Sequence, residues 1–219
     1  MIAFGKFESS SPVVPNFEVP FLIESLPLDV SKNLSNLVLD KEHDILNIPN
    51  TTVNDPTWLT NRLGSYNLLD FDTKDIRVFN NFIYDNYKKY IKVFGGNVEP
   101  VYVLCWANIV RFGGRTITPH HHANAHSDAP QECSYISGNF SAQVDGTNTY
   151  FKSPFLDKHI GIPNNTGELV MFPSSMTHWA DIAKTAAPRV TISFDIITEH
   201  VYNLSHKKHY KVLEIVDVS

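Results

Sequence analysis

Only two cysteines, Cys105 and Cys133, occur in the 219 residues. That is too few for a disulfide framework, so stability must come from a packed core and a reducing compartment is expected. No apolar run reaches the roughly 18 residues that a membrane-spanning helix needs. The opening MIAFGKFESSSPVVP also lacks the basic and long apolar segments of a secretory leader, and a cytoplasmic protein off the membrane is expected. There is no block of Lys and Arg, and the net charge is −5. The short basic stretch HKKHYK at 206–211 reads as a solvated end, so no nucleic-acid partner is expected. Internal repeats and low-complexity tracts are missing too, which excludes solenoids and linker-like chains.

What is present is an ordinary globular composition with generous aromatics, 14 Phe and 9 Tyr, which favours a β-rich core or an aromatic-lined pocket. The length suits one domain over 1–219. Within it, residues 1–100 are expected as helical support with short edge strands, 101–199 as a β core, and 200–219 as a tail. Residues 1–28 are punctuated by Pro12, Pro15, Pro20 and Pro27, which suits strands at a sheet edge. SKNLSNLVLD at 31–40 reads as a short helix capped by Ser31. NDPTWLTNRLG offers Asp55 as cap, Pro56 at the first helical position and Gly64 as stop. The best helix runs from Thr73 to Phe94. There Ile76, Phe79, Ile83, Tyr87, Tyr90 and Phe94 recur on one face, Arg77, Asn81, Asp85, Lys88 and Lys92 lie opposite, and Gly95-Gly96 ends it.

After Pro100 the texture changes. VYVLCWANIVRF, CSYISGNFSAQV, NTYFKSPF, GELVMFP and RVTISFDIIT are rich in Val, Ile, Tyr, Phe and Thr and are separated by turn residues, with no convincing helix between them. The fold class is therefore α+β, mainly β: an antiparallel jelly roll or barrel supported by N-terminal helices.

The chemistry concentrates in TPHHHANAH at 118–126, four histidines in nine positions. If 115–122 ends a strand, alternation puts Thr118, His120 and His122 on one face and His121 on the other, outward or behind the pair. His120 and His122 can then reach one metal ion, with a third imidazole from His178 in FPSSMTHWAD. Eleven residues after His178 comes Arg189, which shares a strand face with Thr191. A guanidinium and a hydroxyl pointing the same way suit a carboxylate, through a bidentate ion pair and one further hydrogen bond. Two imidazoles, a distant third and a carboxylate clamp downstream make the layout that a non-haem Fe(II) oxygenase needs.

Six pieces in order carry a resemblance across the C-terminal half: Trp106-x-Asn108, PHHH at 119–122, ISGNF at 136–140, GELVMFPS at 167–174, His178, and RVTISFD at 189–195. With them the chain resembles the Fe(II)- and 2-oxoglutarate-dependent dioxygenase superfamily, and within it a group of oxygenases common in marine bacteria and their phages. The N-terminal hundred residues carry only a faint likeness, mainly WLTNRLGSYNL. The resemblance implies a double-stranded β-helix holding Fe(II) at its open end, with 2-oxoglutarate as cosubstrate. Its far carboxylate would meet Arg189, and Thr191 would match the hydroxyl of an Arg-x-Ser pattern. It also implies oxidative decarboxylation of 2-oxoglutarate coupled to oxidation, most often hydroxylation, of a small molecule or a peptidyl side chain.

One departure is plain. The superfamily's first motif is His-x-Asp, where this chain has His120-x-His122. Either the ion takes three histidines, His120, His122 and His178, or the literal His126-x-Asp128 supplies the pair. Placement six residues after Gly114 and before the SYISGNF strand favours the first. Trp106 and Asn108 either line the cofactor pocket or pack. The loop 123–132 and the segment 153–166 flank the expected mouth, where specificity lies. A cupin-type metalloprotein fits Gly114 followed by His-x-His, but not the eleven residues from Gly167 to His178. A jelly-roll binding or structural protein with an incidental metal would have no use for Arg189 facing that pocket.

Overall fold

Every second residue of RVTISFDIIT is apolar, and the strand it forms is buried on both sides. Val190, Ile192, Phe194 and Ile196 join the main core, while Arg189, Thr191 and Asp195 are buried on the opposite face. The whole architecture follows from what covers each face. The computed structural model describes residues 1–49, 59–62, 65–114, 117–122, 135–153, 155–205 and 209–218. Among them the strands are β1 (Ile2–Phe7), β2 (Phe17–Ser25), β3 (Val101–Val110), β4 (Ile136–Gln143), β5 (Asn148–Lys152), β6 (His159–Pro163), β7 (Glu168–Pro173), β8 (Thr177–Ala180), β9 (Arg189–Thr198) and β10 (Lys211–Val212). The helices are α1 (Leu28–Leu46), α2 (Lys74–Val93) and α3 (Glu199–Ser205).

The strands form two sheets in which every pairing is antiparallel. The larger has the order β1-β2-β7-β4-β9-β3-β10, and the smaller β6-β5-β8. Residues 117–122 run beside β8, where His120 and His178 exchange backbone hydrogen bonds of 3.0 and 2.8 Å. From β3 onward the chain therefore crosses between the sheets in the alternation of a double-stranded β-helix: large, small, large, two small, large, small, large. One face of the large sheet packs on α1 and α2 in the main core. The other faces the small sheet across a second cluster of Phe7, Val19, Phe21, Phe151, Val170, Phe172 and Met176.

The helix over 74–93 forms as its spacing predicts. Thr73 caps it through the Ile76 amide at 3.2 Å, and Gly95, at φ 68°, supplies the left-handed turn that ends it. Ile76, Phe79, Ile83, Tyr87 and Tyr90 are buried as expected, whereas Phe94 lies past the last turn and is 55% exposed. Ser31 is not a cap. The helix starts three residues earlier at Leu28, and the Ser31 hydroxyl, buried inside, donates back to the Pro27 carbonyl at 3.0 Å. Of the helix expected near 55–64, Asp55, Pro56 and Gly64 lie outside the described residues, and Leu59–Arg62 forms a single 3₁₀ turn. The β half also contains one short helix, α3, begun where the Val201 amide meets Thr198 Oγ1 at 3.4 Å. The basic end is not wholly solvated: Tyr210 is buried and Lys211–Val212 pair with β3.

Candidate metal centre

Three histidines converge at one end of the space between the sheets. His120 and His122 come from the segment beside β8, and His178 from β8 itself, so sheet pairing rather than loop geometry sets their spacing. The His122 amide donates to the Ser174 carbonyl at 3.0 Å, which fixes the far end of that segment. One ring nitrogen from each histidine lies within 4.8 Å of the others. Ring centroids are 5.1 Å apart for His120 and His122, 4.4 Å for His120 and His178, and 5.1 Å for His122 and His178.

The tautomers are set as well. Nδ1 of His120 faces the Thr118 carbonyl at 2.8 Å, and Nδ1 of His178 faces the Met176 carbonyl at 3.0 Å. Nδ1 of His122 meets Asp195 Oδ1 at 2.6 Å. A carbonyl or carboxylate oxygen only accepts, so each ring carries its proton on Nδ1 and leaves Nε2 with a free lone pair. Burial pushes the pKa of His178 well down, helped by the charges His120 and His122 would carry, and burial also lowers that of His120. For His122 burial acts in the same sense, but the charge and hydrogen bond of Asp195 outweigh it and the pKa is raised. Three imidazoles in their ligand tautomer fit a divalent transition ion, with iron, zinc and nickel all acceptable to such donors.

The neighbouring side chains separate by function. Trp106 is buried with its ring 5.6 Å from that of His122. His121, between the two ligand candidates, is not part of the cluster, and its Nδ1 is buried with no partner among the described residues. His126 and Asp128 lie outside the described residues, as does Cys133.

Across from the histidines, on β9 of the large sheet, lies Arg189, 4% exposed. Its Nη1 makes one long contact of 3.4 Å with the Asp181 carbonyl, and its Nε is buried without a partner among the described residues. The Asp181 carboxylate is engaged elsewhere, by Asn148 at 2.9 Å and Lys184 at 3.5 Å. Burial drags the guanidinium pKa down to about 10, with Asp181 offsetting only part of that cost. A buried cation with an unsatisfied donor fits an incoming carboxylate. Thr191 follows on the same face. Opposite it stands Asn108, whose Nδ2 donates to Ser193 Oγ at 3.0 Å, and Ser193 in turn donates to Asn139 Oδ1 at 3.1 Å. Asn108 is thus held in a hydrogen-bonded row on the lumen wall.

No protein-family model and no curated protein matches this sequence. Solved structures do. A prolyl hydroxylase from Trichoplax adhaerens, solved with a hypoxia inducible factor oxygen degradation domain peptide fragment, superposes with a TM-score of 0.59 at 15% identity, covering 84% of this chain and 86% of that one. A Pseudomonas putida prolyl-4-hydroxylase gives 0.58 at 11% identity, over 82% and 92% of the two chains. The epimerase SnoN from nogalamycin biosynthesis, solved with Fe3+, alpha ketoglutarate and nogalamycin RO, gives 0.53 at 10% identity over 81% and 78%. The chain has the fold of the Fe(II)/2-oxoglutarate oxygenases. The histidines lie on the small sheet and the segment beside it, and Arg189 lies on β9 of the large one.

The residue that sequence reasoning passed over is Asp195. It stands in the quoted RVTISFD, and its even spacing from Arg189 and Thr191 placed it on the lumen face. That parity was the available signal.

Proposed function

We propose that the chain is an Fe(II)- and 2-oxoglutarate-dependent dioxygenase, with His120, His122 and His178 as the metal ligands and Arg189, Thr191 and Asn108 lining the cosubstrate pocket. One observation supports this reading above the others. A trio of imidazoles in the ligand tautomer meets β9 through Asp195, and the same face of β9 carries a buried guanidinium whose Nε has no partner among the described residues. A protein with only an incidental metal gains nothing from the second feature, which costs stability on its own.

When bound, iron and 2-oxoglutarate supply the oxidising chemistry, the oxidative decarboxylation of the cosubstrate coupled to attack on a C–H bond of the substrate. The chain's own residues do the rest. His120, His122 and His178 would hold the ion through three neutral nitrogens. Arg189 and Thr191 would grip the far carboxylate, which would orient the cosubstrate and neutralise the guanidinium. Trp106 and the apolar cluster around Phe151 and Phe172 keep water from the site. The substrate class follows the fold's known range, a peptidyl side chain or a small molecule. A reducing, cytoplasmic setting belongs to the same reading, supported by Cys105, a free thiol buried in the core.

The test is an anaerobic titration of metal-free protein with Fe(II), then 2-oxoglutarate, following the visible charge-transfer band of the chelated cosubstrate. The band should vanish in His122→Ala. In Arg189→Met it should need about a thousandfold more 2-oxoglutarate, the size expected when a buried charge loses its partner. Metal binding without any band in the wild type would sink the oxygenase reading.

A further inference from the structure

The three ring hydrogen bonds are unequal. His120 and His178 lean on neutral backbone carbonyls, whereas His122 leans on a carboxylate. Asp195 is itself buried and held in place. Its Oδ1 also accepts the Ser137 hydroxyl at 2.6 Å, and the Ser137 and Ser174 hydroxyls lie 2.8 Å apart. Since Ser137 spends its proton on Asp195, Ser174 donates to Ser137. The row Ser174, Ser137, Asp195, His122 thus runs across β4 and β9 to one ligand, and Ser174 also takes the His122 backbone amide.

That row answers the charge left open by the missing His-x-Asp. Two histidines and one carboxylate offset one of the ion's two charges, and three neutral histidines offset none. Building on the metal site proposed above, we infer that Asp195 is a positioning residue that supplies this charge from behind His122. Through the Nδ1 hydrogen bond it locks the ring with Nε2 towards the ion and makes that nitrogen a stronger donor. The carboxylate thus stands behind the His122 ring, on Nδ1, rather than on the ion itself, and it brings one negative charge to the site.

The experiment compares wild type, Asp195→Asn, Asp195→Leu and Ser137→Ala, each first shown to be folded by circular dichroism. Co(II) is titrated first, recording affinity and the visible d–d spectrum. Fe(II) with 2-oxoglutarate follows under nitrogen, recording the energy of the charge-transfer band. Asp195→Leu should weaken Co(II) binding by about ten- to a hundredfold. Asp195→Asn should fall between, because the amide oxygen still accepts the Nδ1 proton but brings no charge. In both, the band should move to higher energy, as a poorer donor leaves the iron less electron-rich. A purely structural role would not shift that energy. Unchanged affinity and unchanged spectra in folded Asp195→Asn overturn the inference. If wild type binds Co(II) with an Asp195-dependent affinity yet shows no band with 2-oxoglutarate, the oxygenase reading fails and the role of Asp195 stands.

Discussion

Gly138 on β4 lies directly opposite Phe194 on β9, and a Cβ placed on Gly138 would overlap the Phe194 ring. The ring has nowhere to retreat, since Phe194 is fully buried in the main core. Glycine is therefore the residue that lets this aromatic cross the strand. Gly138→Ala should cost about 1–3 kcal/mol through overpacking. For a chain of this size that is roughly 2–10 °C in melting temperature. Combining it with Phe194→Leu should recover part of the loss, and a strictly additive pair in thermal melts would contradict the contact.

Arg189 carries a burial cost in the ligand-free protein. Its folded pKa, about 10, lies below the ordinary guanidinium value, so the charged form is disfavoured by folding. The penalty is present through neutral pH and is relieved only as pH climbs through about 10. Arg189→Met should thus raise the melting temperature of the ligand-free protein, by an amount corresponding to roughly 1–3 kcal/mol. It should also abolish the stabilisation that wild type gains from 2-oxoglutarate with a divalent ion. A variant less stable than wild type and equally responsive to 2-oxoglutarate would argue for an ordinary structural arginine.

Which parts of this molecule could be read from its sequence follows physical lines. The helix over 74–93 and the strand at 189–198 were legible because each carries its own periodicity and buries a whole face. His120 and His122 share a face by alternation alone, and His178 with Arg189 stood out as polar groups beside apolar strands. β6 and β8 were not legible. They have five and four residues, too few for a pattern, and exist because β5 pairs with both. The start of α1 was missed because Leu28, Asp29 and Val30 look equally like the end of an edge strand. Asp195 is marked in the sequence only by its parity, since its role lies in contacts with Ser137 and His122, 58 and 73 residues away in the chain.

The neighbouring histidines should separate cleanly by substitution. His120→Ala and His178→Ala each remove one of three converging nitrogens and should abolish tight Co(II) or Ni(II) binding, seen by equilibrium dialysis. His121→Ala should leave metal stoichiometry at one ion per chain, because its ring is outside the cluster. Stabilisation by the ion should disappear on adding a chelator in wild type and His121→Ala alike. Loss of the ion in His121→Ala with retention in His120→Ala would place the ligand set elsewhere in the loop.

Asn67 ties the sheet's outer edge to the helical layer. Its buried amide donates to the Val103 carbonyl at 2.9 Å and the His209 carbonyl at 2.8 Å, while its oxygen accepts the Leu69 amide at 3.1 Å. One side chain therefore satisfies groups on β3, on a 3₁₀ turn and on the segment leading into β10. Asn67→Ala leaves all three without this partner and should cost about 1–3 kcal/mol. Asn67→Asp should do no better, since a carboxylate cannot donate to either carbonyl and brings a charge into a buried position. The loss is local to that corner, so hydrogen exchange at Leu213, whose amide bonds the Val101 carbonyl at 2.9 Å, should accelerate. Exchange in α2 and Co(II) affinity at the histidines should hold. Uniform acceleration across the chain would instead mean that Asn67 supports the whole fold, and that the C-terminal strand is not a separable unit.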